Sequence, residues 1–288
     1  KRLYFSNIRM VESIKELRQI CYRNSKGKRP LYMEWFTMKI SIYVTKLILY
    51  TPMNADQVSM SMVLLAILGS IFMGVGTLPW MLAGILIIHF TVILDNCNGE
   101  IARYRKEGSM MGTFMEQYYH ELSVPLIFFS FAYGIFTLTG WELALVFGFL
   151  CAVFSRSTVL SALKSAVVKN SIRDNENKKR DEKLRRYAKL VGKANVKGGG
   201  TDKGRELYSA YDHVREFWSA PFNIVHLNLI IIFEMVNMSY SFITPFYLSF
   251  AYLAVYGSLS VLIQIISFVV HYRGNTIYHY YVAMHKKK

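Results

Sequence analysis

Lysine and arginine are missing from three long stretches of this chain, although the chain as a whole is strongly basic. Its 288 residues include 34 Lys and Arg against 19 Asp and Glu, a formal net charge of +15. None of these cations lies between Asp56 and Ile101, between Met110 and Ser155, or between Glu216 and Tyr272. Apolar runs of about 18 residues or more indicate membrane spans. Together with 53% hydrophobic residues and a mean hydropathy of +0.24, this pattern excludes an ordinary soluble domain.

Cysteine is also scarce, with Cys21, Cys97 and Cys151 scattered along the chain. The first two are expected to face a reducing cytosol and the third to lie within a span, so we expect no disulfide. The first predicted span begins near residue 57, which is too far into the printed chain for a cleavable signal peptide.

The apolar stretches without Lys or Arg predict an all-α, polytopic membrane protein of about six transmembrane helices. At roughly 20 residues per crossing, the predicted spans lie near 57–76, 79–102, 110–138, 141–168, 221–240 and 245–271. Alternating crossings place every basic cluster on one face, and the opposite loops carry no Lys or Arg. The positive-inside rule then predicts that both termini are cytoplasmic.

The flanking segments complete the predicted domain organisation. Residues 6–24 are typical of a helix on the membrane surface. Residues 31–50 are interrupted by Glu34, Lys39 and Lys46, which favours an interfacial amphipathic helix over an additional span. We therefore predict three regions: N-terminal cytoplasmic or interfacial helices (1–55), a six-helix membrane catalytic domain (56–272) with a basic cytoplasmic insert (169–220), and a cytoplasmic tail (273–288).

The basic insert is predicted to be helical near 172–191 and again near 203–218, joined by the flexible Gly198–Gly200 segment. Its charge fits a loop that binds anionic lipid headgroups, and a dedicated substrate-binding role is the alternative. Because the basic residues are explained by the bilayer, we expect no nucleic-acid partner.

One motif at the basic ends of the second and third spans concentrates polar chemistry. It reads D-x2-N-G-x2-A-R-x8-G-x3-E-x3-H and consists of Asp95, Asn98, Gly99, Ala102, Arg103, Gly112, Glu116 and His120. Residues three or four apart share one face of a helix, so the motif predicts one polar face on each helix. A short turn between antiparallel helices brings these two faces together.

Such a cluster suits a divalent metal beside a phosphate. Oxygen ligands alone favour Mg²⁺ or Ca²⁺, and an imidazole also admits Mn²⁺ or softer ions. Gly99 and Ala102 leave the helix surface open for a nucleotide or phosphate, and Arg103 offers a guanidinium fork to phosphate. Capping or solvation explains a lone acidic residue at a helix end, but it explains the whole set poorly. The motif therefore predicts metal-assisted phosphoryl transfer.

The motif resembles the signature of the CDP-alcohol phosphotransferase family, D-x2-D-G-x2-A-R-x8-9-G-x3-D-x3-D. The segment Pro52-Met53-Asn54, with Ser59, is similar to the short P-x-N segment before the family's first span, and Asn54 is accordingly a candidate nucleotide-binding residue. Turn chemistry is the alternative, because Asn54 or Asp56 can cap the first span. The six-span plan with an N-terminal surface helix also agrees with the family.

The resemblance implies a mechanism in which metal-bound aspartates grip the pyrophosphate of a CDP-linked donor. An acceptor hydroxyl, deprotonated by the last aspartate, attacks the phosphorus away from the cytidine, and CMP leaves. It implies that Asp95 is a metal ligand, that Gly99 and Ala102 form the nucleotide platform, and that Arg103 contacts phosphate. Gly112 becomes the close-packing turn residue. A lipid or small-alcohol acceptor, the bilayer itself and a homodimeric partner follow from the same resemblance.

The chain departs from the family at Asn98, Glu116 and His120, each of which stands where the family has aspartate. All three remain able to bind a metal, with Asp95 as the fourth ligand. Glu116 and His120 are also the candidate catalytic residues, since a neutral imidazole near pH 7 can act as a general base. With fewer negative charges, we expect weaker binding of a second metal and an Mg²⁺ or Mn²⁺ cofactor.

Other polar residues within the predicted spans have weaker claims. Arg156 is a candidate phosphate contact, with snorkelling or pairing with an acid as the alternative. His89 is expected to be a packed, hydrogen-bonded histidine. Tyr118 and Tyr119 are expected at the membrane interface. Four polar residues of the fifth span line the cavity or bond neighbouring helices; these are His226, Asn228, Glu234 and Asn237.

Three function classes therefore remain in view. The first is a membrane transferase of substituted phosphate groups in phospholipid or related lipid synthesis, with its site on the cytoplasmic side. The second is a catalytically silent relative that binds nucleotide or lipid as an interaction module. The third is a small transporter, but the sequence shows no repeat and no pair of broken helices to support it.

Overall fold

A computed structural model describes residues 11–22, 36–155, 158–176, 180–197 and 220–285. Within those ranges the secondary structure is helical and contains no strand, which confirms the all-α prediction. The helices are α1 (Ile14–Tyr22), α2 (Met38–Leu49), α3 (Ala55–Gly74), α4 (Leu78–Arg105), α5 (Met110–Thr139), α6 (Glu142–Phe154), α7 (Thr158–Glu176), α8 (Arg180–Lys197), α9 (Ala220–Tyr240), α10 (Tyr247–Arg273) and α11 (Thr276–His285).

Several of these helices can cross a bilayer. Among the described residues, 5 helices are long and apolar enough: α3, α4, α5, the Phe222–Tyr240 part of α9, and α10. They coincide with five of the predicted spans to within a few residues at each end. The chain is an integral membrane protein of the polytopic class.

The remaining predicted span, 141–168, is divided in the structure. Helix α6 has 13 residues and ends at Phe154, the backbone bends at Ser155, and α7 begins at Thr158. At about 1.5 Å per residue, α6 is about 20 Å long, which is shorter than the hydrocarbon core of a typical bilayer. The predicted span near 141–168 is therefore covered by two helices, and residues 156–157 between them lie outside the described residues.

Side-chain caps fix where the signature-bearing helices begin. The Asn54 side chain accepts a hydrogen bond from the Gln57 amide (2.8 Å), while the Gln57 side chain accepts one from the Asn54 amide (3.0 Å). This reciprocal pair satisfies amides that have no partner within α3. Ser109 caps α5 by accepting from the Gly112 amide at 2.7 Å. Between these caps, α4 ends at Lys106 in the left-handed conformation (φ 56°).

One compact unit comprises Lys1–Ala152 and Ala220–Ala254. Within it, α3 packs along both α4 and α5, α9 packs on α4, and α4 and α5 make few contacts with each other. The backbones of α3 and α4 approach closely at Gly69 and Gly84. A Cβ added to Gly69 would lie 2.8 Å from the Gly84 carbonyl oxygen. Small residues at helix crossings are typical of packing in membranes, where close backbone approach increases van der Waals contact.

The N-terminal helices α1 and α2 pack on each other and on α4 in the same unit. Leu17, Cys21 and Ile42 form their buried core. Helix α2 has 12 residues, which are too few to span the bilayer, and this agrees with the interfacial helix expected there. Its polar Ser41 and Thr45 point inward with no exposed surface, and apolar side chains such as Leu47 are exposed.

A second compact unit comprises Val153–Ser219 and Val255–Lys288. Helix α11 packs on α7 and α8. Asp174 of α7 is buried, accepts from Lys183 Nζ at 2.5 Å and from Tyr281 Oη at 3.0 Å, and so joins all three helices. The Lys183 hydrogen bond holds the pKa of Asp174 below its ordinary value despite burial. Helices α7 and α8 confirm the helical prediction near 172–191, whereas 203–218 and Gly198–Gly200 lie outside the described residues.

The polar side chains of α9 have partners within the first unit. Glu234 accepts from the amides of Phe246 (2.9 Å) and Ser249 (3.2 Å), so it caps the start of α10. Asn228 bonds the His89 ring at 3.2 Å, and this confirms the expectation that His89 is packed and hydrogen-bonded. Asn237 donates to the Ile243 carbonyl and accepts from its amide, and the His226 ring meets the Tyr252 ring edge to face. Capping and interhelical bonds therefore account for Glu234, Asn228 and Asn237.

Candidate metal centre

Three signature side chains meet between the facing ends of α4 and α5. One potential ligand atom from each of Asp95, Glu116 and His120 lies within 4.8 Å of the others, and we call this set the metal cluster. His120 Nε2 is 3.6 Å from Asp95 Oδ1. The Asp95 side chain is 19% exposed and that of His120 36%, so the cluster is open on one side.

The cluster forms because α5 presents Glu116 and His120 one turn apart, facing Asp95 on α4. A buried hydrogen bond of 2.6 Å between Thr91 Oγ1 and Tyr119 Oη joins the two helices one turn away from Asp95. Tyr118 is exposed, as expected of an interface aromatic, but Tyr119 is 3% exposed. The expectation for Tyr119 was therefore wrong, because its hydroxyl has a buried partner on the neighbouring helix that the sequence does not reveal.

Gly99 and Arg103 form a continuous surface next to the cluster. A Cβ on Gly99 would lie 3.0 Å from Arg103 Nη1, so the guanidinium folds back along α4 over the glycine. Arg103 is exposed, and Gly99 stands one helical turn after Asp95. This places the guanidinium fork over Gly99, which follows Asp95 by one helical turn. Asn98 is buried (6% exposed), and Ala102 packs on the core shared by α3 and α4.

Gly112 provides room for a side chain of the protein itself. A Cβ there would lie 2.5 Å from Asp56 Oδ1. Ser109 Oγ donates to both oxygens of Asp56, at 2.9 and 3.0 Å. The first turns of α3 and α5 are therefore joined at this glycine, as its predicted close-packing role requires.

The structure gives the predicted nucleotide-binding residue Asn54 a capping role. Both the amide and the side chain of Asn54 are engaged in the capping box of α3, which is the structural role expected from turn chemistry. Arg156 lies outside the described residues.

Glu100 is a residue that the sequence analysis missed. It lies inside the signature, immediately after Gly99, and has no exposed surface. Its carboxylate accepts hydrogen bonds from Ser41 Oγ (2.5 Å), Thr45 Oγ1 (2.6 Å) and the Tyr22 hydroxyl. Burial is the main cause that raises the pKa of Tyr22, and the charge of Glu100 adds to it. Ser41 and Thr45, at i and i+4 on one face of α2, were the signal for such a partner.

The three cysteines are free and buried. Two of them border the Glu100 site. Cys21 Sγ donates to the Glu100 carbonyl at 3.6 Å, and Cys97 Sγ donates to the Ser41 carbonyl at 3.4 Å. Burial raises the pKa of Cys21 to about 11, so its thiol is protonated and unreactive near neutral pH.

Comparison with known proteins gives one family. Residues 53–191 match the family model described as CDP-alcohol phosphatidyltransferase. This segment contains the whole signature, from Asp95 to His120. No curated protein matches the chain.

Proposed function

We propose that the protein is a membrane transferase of lipid synthesis, because its residues 53–191 match the model of the CDP-alcohol phosphatidyltransferase family. It moves a substituted phosphate group from a CDP-linked donor to the hydroxyl of a lipid or small-alcohol acceptor and releases CMP. The observation that carries the proposal is the metal cluster, placed one turn from the Arg103 guanidinium within the matched segment.

The donor set fits one divalent cation. Two carboxylates and an imidazole within 4.8 Å of one another can share an ion, and the open side leaves room for substrate oxygens. Carboxylates suit Mg²⁺ and Mn²⁺, while the imidazole shifts the preference toward Mn²⁺. We therefore propose Mg²⁺ or Mn²⁺, held by Asp95 and Glu116 and supported by Asn98. When bound, the ion neutralises charge on the donor pyrophosphate.

The residues of the chain divide the remaining work. Arg103 binds a phosphate oxygen of the donor and orients it over the open surface at Gly99. His120 Nε2 accepts the proton of the acceptor hydroxyl. The hydroxyl oxygen bonds to the phosphorus, and the bond between that phosphorus and the CMP oxygen breaks. Asp95, 3.6 Å from that nitrogen, stabilises the imidazolium that results. Since a protonated imidazole cannot bind a cation, His120 would hold the ion only in its neutral form.

The test is metal-dependent release of CMP by the purified protein. The donors are CDP-diacylglycerol with small alcohols, and CDP-choline or CDP-ethanolamine with diacylglycerol, each with Mg²⁺ and with Mn²⁺. His120→Ala should lower kcat by about 100-fold or more, since general bases contribute about 10²–10⁴-fold. Gln117→Ala, on the same helix and exposed, is the matched control and should be unchanged.

The same assay separates the enzyme from a silent relative. Release of CMP that His120→Ala abolishes, with Mn²⁺ binding retained, supports the transferase. Saturable binding of a CDP-linked donor without CMP release under any of these conditions supports the interaction module and refutes the proposal.

We further propose a cytoplasmic site and cytoplasmic termini in a homodimer. The support for sidedness is the absence of Lys and Arg from the opposite loops. Thiol labelling of Gly108→Cys in sealed, correctly oriented vesicles tests it, because a cytoplasmic cysteine is protected from an impermeant reagent added outside. Crosslinking in native membranes tests the dimer.

A further inference from the structure

We propose that Glu100 is a positioning residue through which the N-terminal helices α1 and α2 hold the metal-binding face of α4 in place. Tyr22, Ser41, Thr45 and Glu100 together form what we call the Glu100 clamp. The inference rests on the proposed function, because the geometry that the clamp maintains is that of the metal cluster.

The contacts of the clamp join three helices at one carboxylate. Tyr22 comes from α1, Ser41 and Thr45 come from α2, and all three donate to Glu100 on α4. An ionised carboxylate without donors is costly to bury, whereas hydrogen bonds to a charged acceptor are strong. Glu100 therefore strongly favours the arrangement in which both N-terminal helices are docked on α4.

The position of the clamp makes it relevant to the site. Glu100 lies five residues after Asp95, about 7.5 Å along the helix axis. Glu100 follows Gly99 directly. A rotation or shift of α4 at Glu100 therefore also moves the Asp95 carboxylate and the surface formed by Gly99 and Arg103.

Direct contact between the two helices that carry the metal cluster is limited to a small area that includes the Thr91–Tyr119 hydrogen bond. Helices α4 and α5 make few contacts with each other, and α3 packs along both. The close approach of Gly69 and Gly84 fixes α4 against α3, but at a point of α4 that is far from the metal cluster. The clamp instead holds α4 near the metal cluster, against α1 and α2. A misplacement of about 1 Å in such a site can lower the rate about 100-fold.

Two native thiols report on the clamp. Cys21 bonds the Glu100 carbonyl and Cys97 bonds the Ser41 carbonyl, and both thiols are fully buried. If α2 loosens from α4, these thiols gain access to a labelling reagent. Cys151, which is equally buried and bonds the Leu253 carbonyl instead, is an internal control within the same protein.

The decisive comparison is Thr45→Val against Thr45→Ser. Valine keeps the shape of threonine and removes the donor, whereas serine keeps the donor and removes a methyl group. Glu100→Gln tests the acceptor, and Tyr43→Phe, at an exposed position of α2, is the neutral control. Each full-length variant is measured for CMP release as a function of Mn²⁺, for Mn²⁺ binding by electron paramagnetic resonance without donor, and for the rate of maleimide labelling at each cysteine.

Thr45→Val and Glu100→Gln should lower kcat about 10-fold and weaken Mn²⁺ binding about 10-fold, in line with supporting residues at other metal sites. Labelling of Cys21 and Cys97 should accelerate while that of Cys151 stays constant. Thr45→Ser and Tyr43→Phe should stay within about 2-fold of the wild type in all three measurements.

Two outcomes overturn the clamp. Faster labelling of Cys97 with unchanged kcat and Mn²⁺ affinity means that these bonds only stabilise the fold. Unchanged labelling and activity in Thr45→Val means that they do not hold α2 on α4 at all. A wild type that binds Mn²⁺ but releases no CMP refutes the proposed function alone, because Mn²⁺ affinity and labelling still decide on the clamp.

Discussion

Replacing Gly84 by alanine is the sharpest test of how the membrane helices are packed. The added Cβ would lie 2.7 Å from the Met73 amide nitrogen and 3.2 Å from its Cα, and closer still to the Gly69 carbonyl oxygen. Ordinary contact begins near 3.4 Å. All three atoms belong to the α3 backbone and cannot rotate away, so the helices must separate by most of an ångström.

Two opposing effects set the magnitude. Overpacking of a close-packed interior costs about 1–3 kcal/mol, and the backbone contacts place Gly84→Ala at the upper end. Alanine is intrinsically better than glycine inside a helix by about 1 kcal/mol. We therefore expect a net destabilisation of about 2 kcal/mol, measured by reversible unfolding in mixed detergent micelles.

Gly108→Ala is the matched control, because a Cβ at Gly108 meets nothing within 4 Å. It should be neutral or slightly stabilising. If Gly84→Ala unfolds like the wild type, or is more stable by the 1 kcal/mol or so that helix propensity alone supplies, the close approach of α3 and α4 is refuted.

The remaining predictions concern three separate contacts. Asp174→Asn should cost about 1 kcal/mol near pH 7, a small figure because partly exposed Lys183 is screened by solvent. The pKa of Asp174 is lowered in the folded state. Its contribution to the free energy of unfolding is therefore complete above the unfolded-state pKa of about 4 and is lost as the pH falls through the folded-state pKa. Hydrogen exchange in α8 should therefore differ between variant and wild type at pH 7 and converge in acid; a constant difference would contradict this. Tyr119→Phe should lower the free energy of unfolding by about 1 kcal/mol, because it removes the bond between α4 and α5 while Thr91 keeps its bond to the Ile88 carbonyl. An unchanged midpoint in detergent would refute the bond between Thr91 and Tyr119. His120→Asp should raise the ratio of Mg²⁺-supported to Mn²⁺-supported CMP release, because a carboxylate replaces an imidazole; a falling ratio would place His120 outside the metal site.

The spans were predictable because each depends on a local property of the sequence. A run without charge that is long enough to cross a bilayer is visible in one window, and the helical ends from Ala55 to Thr139 lie within a few residues of the prediction. The bend at Ser155 falls where the polar residues Ser155, Arg156, Ser157 and Thr158 interrupt the apolar run, and the span predicted over 141–168 ran through that interruption.

The residues of the site also differ in how far the sequence predicts their contacts. Glu116 and His120 are one turn apart, and the short turn to α4 made their approach to Asp95 predictable from spacing alone. Glu100 bonds Tyr22, Ser41 and Thr45, which precede it by 78, 59 and 55 residues. No periodicity encodes a contact of that range, and only the fold brings these side chains together.

Pro125 lies inside α5, five residues beyond His120. It has no amide hydrogen to donate, so the carbonyl four residues earlier loses its helical partner and the helix is weakest there. Beyond the proline, Phe128, Phe131 and Ile135 are fully buried and anchor the helix, whereas most side chains between Met110 and Tyr118 are exposed. Helix α5 is thus anchored in the core beyond the proline, while Glu116 and His120 stand on the half whose side chains are mostly exposed. A bend at the proline would shift these two residues together relative to Asp95.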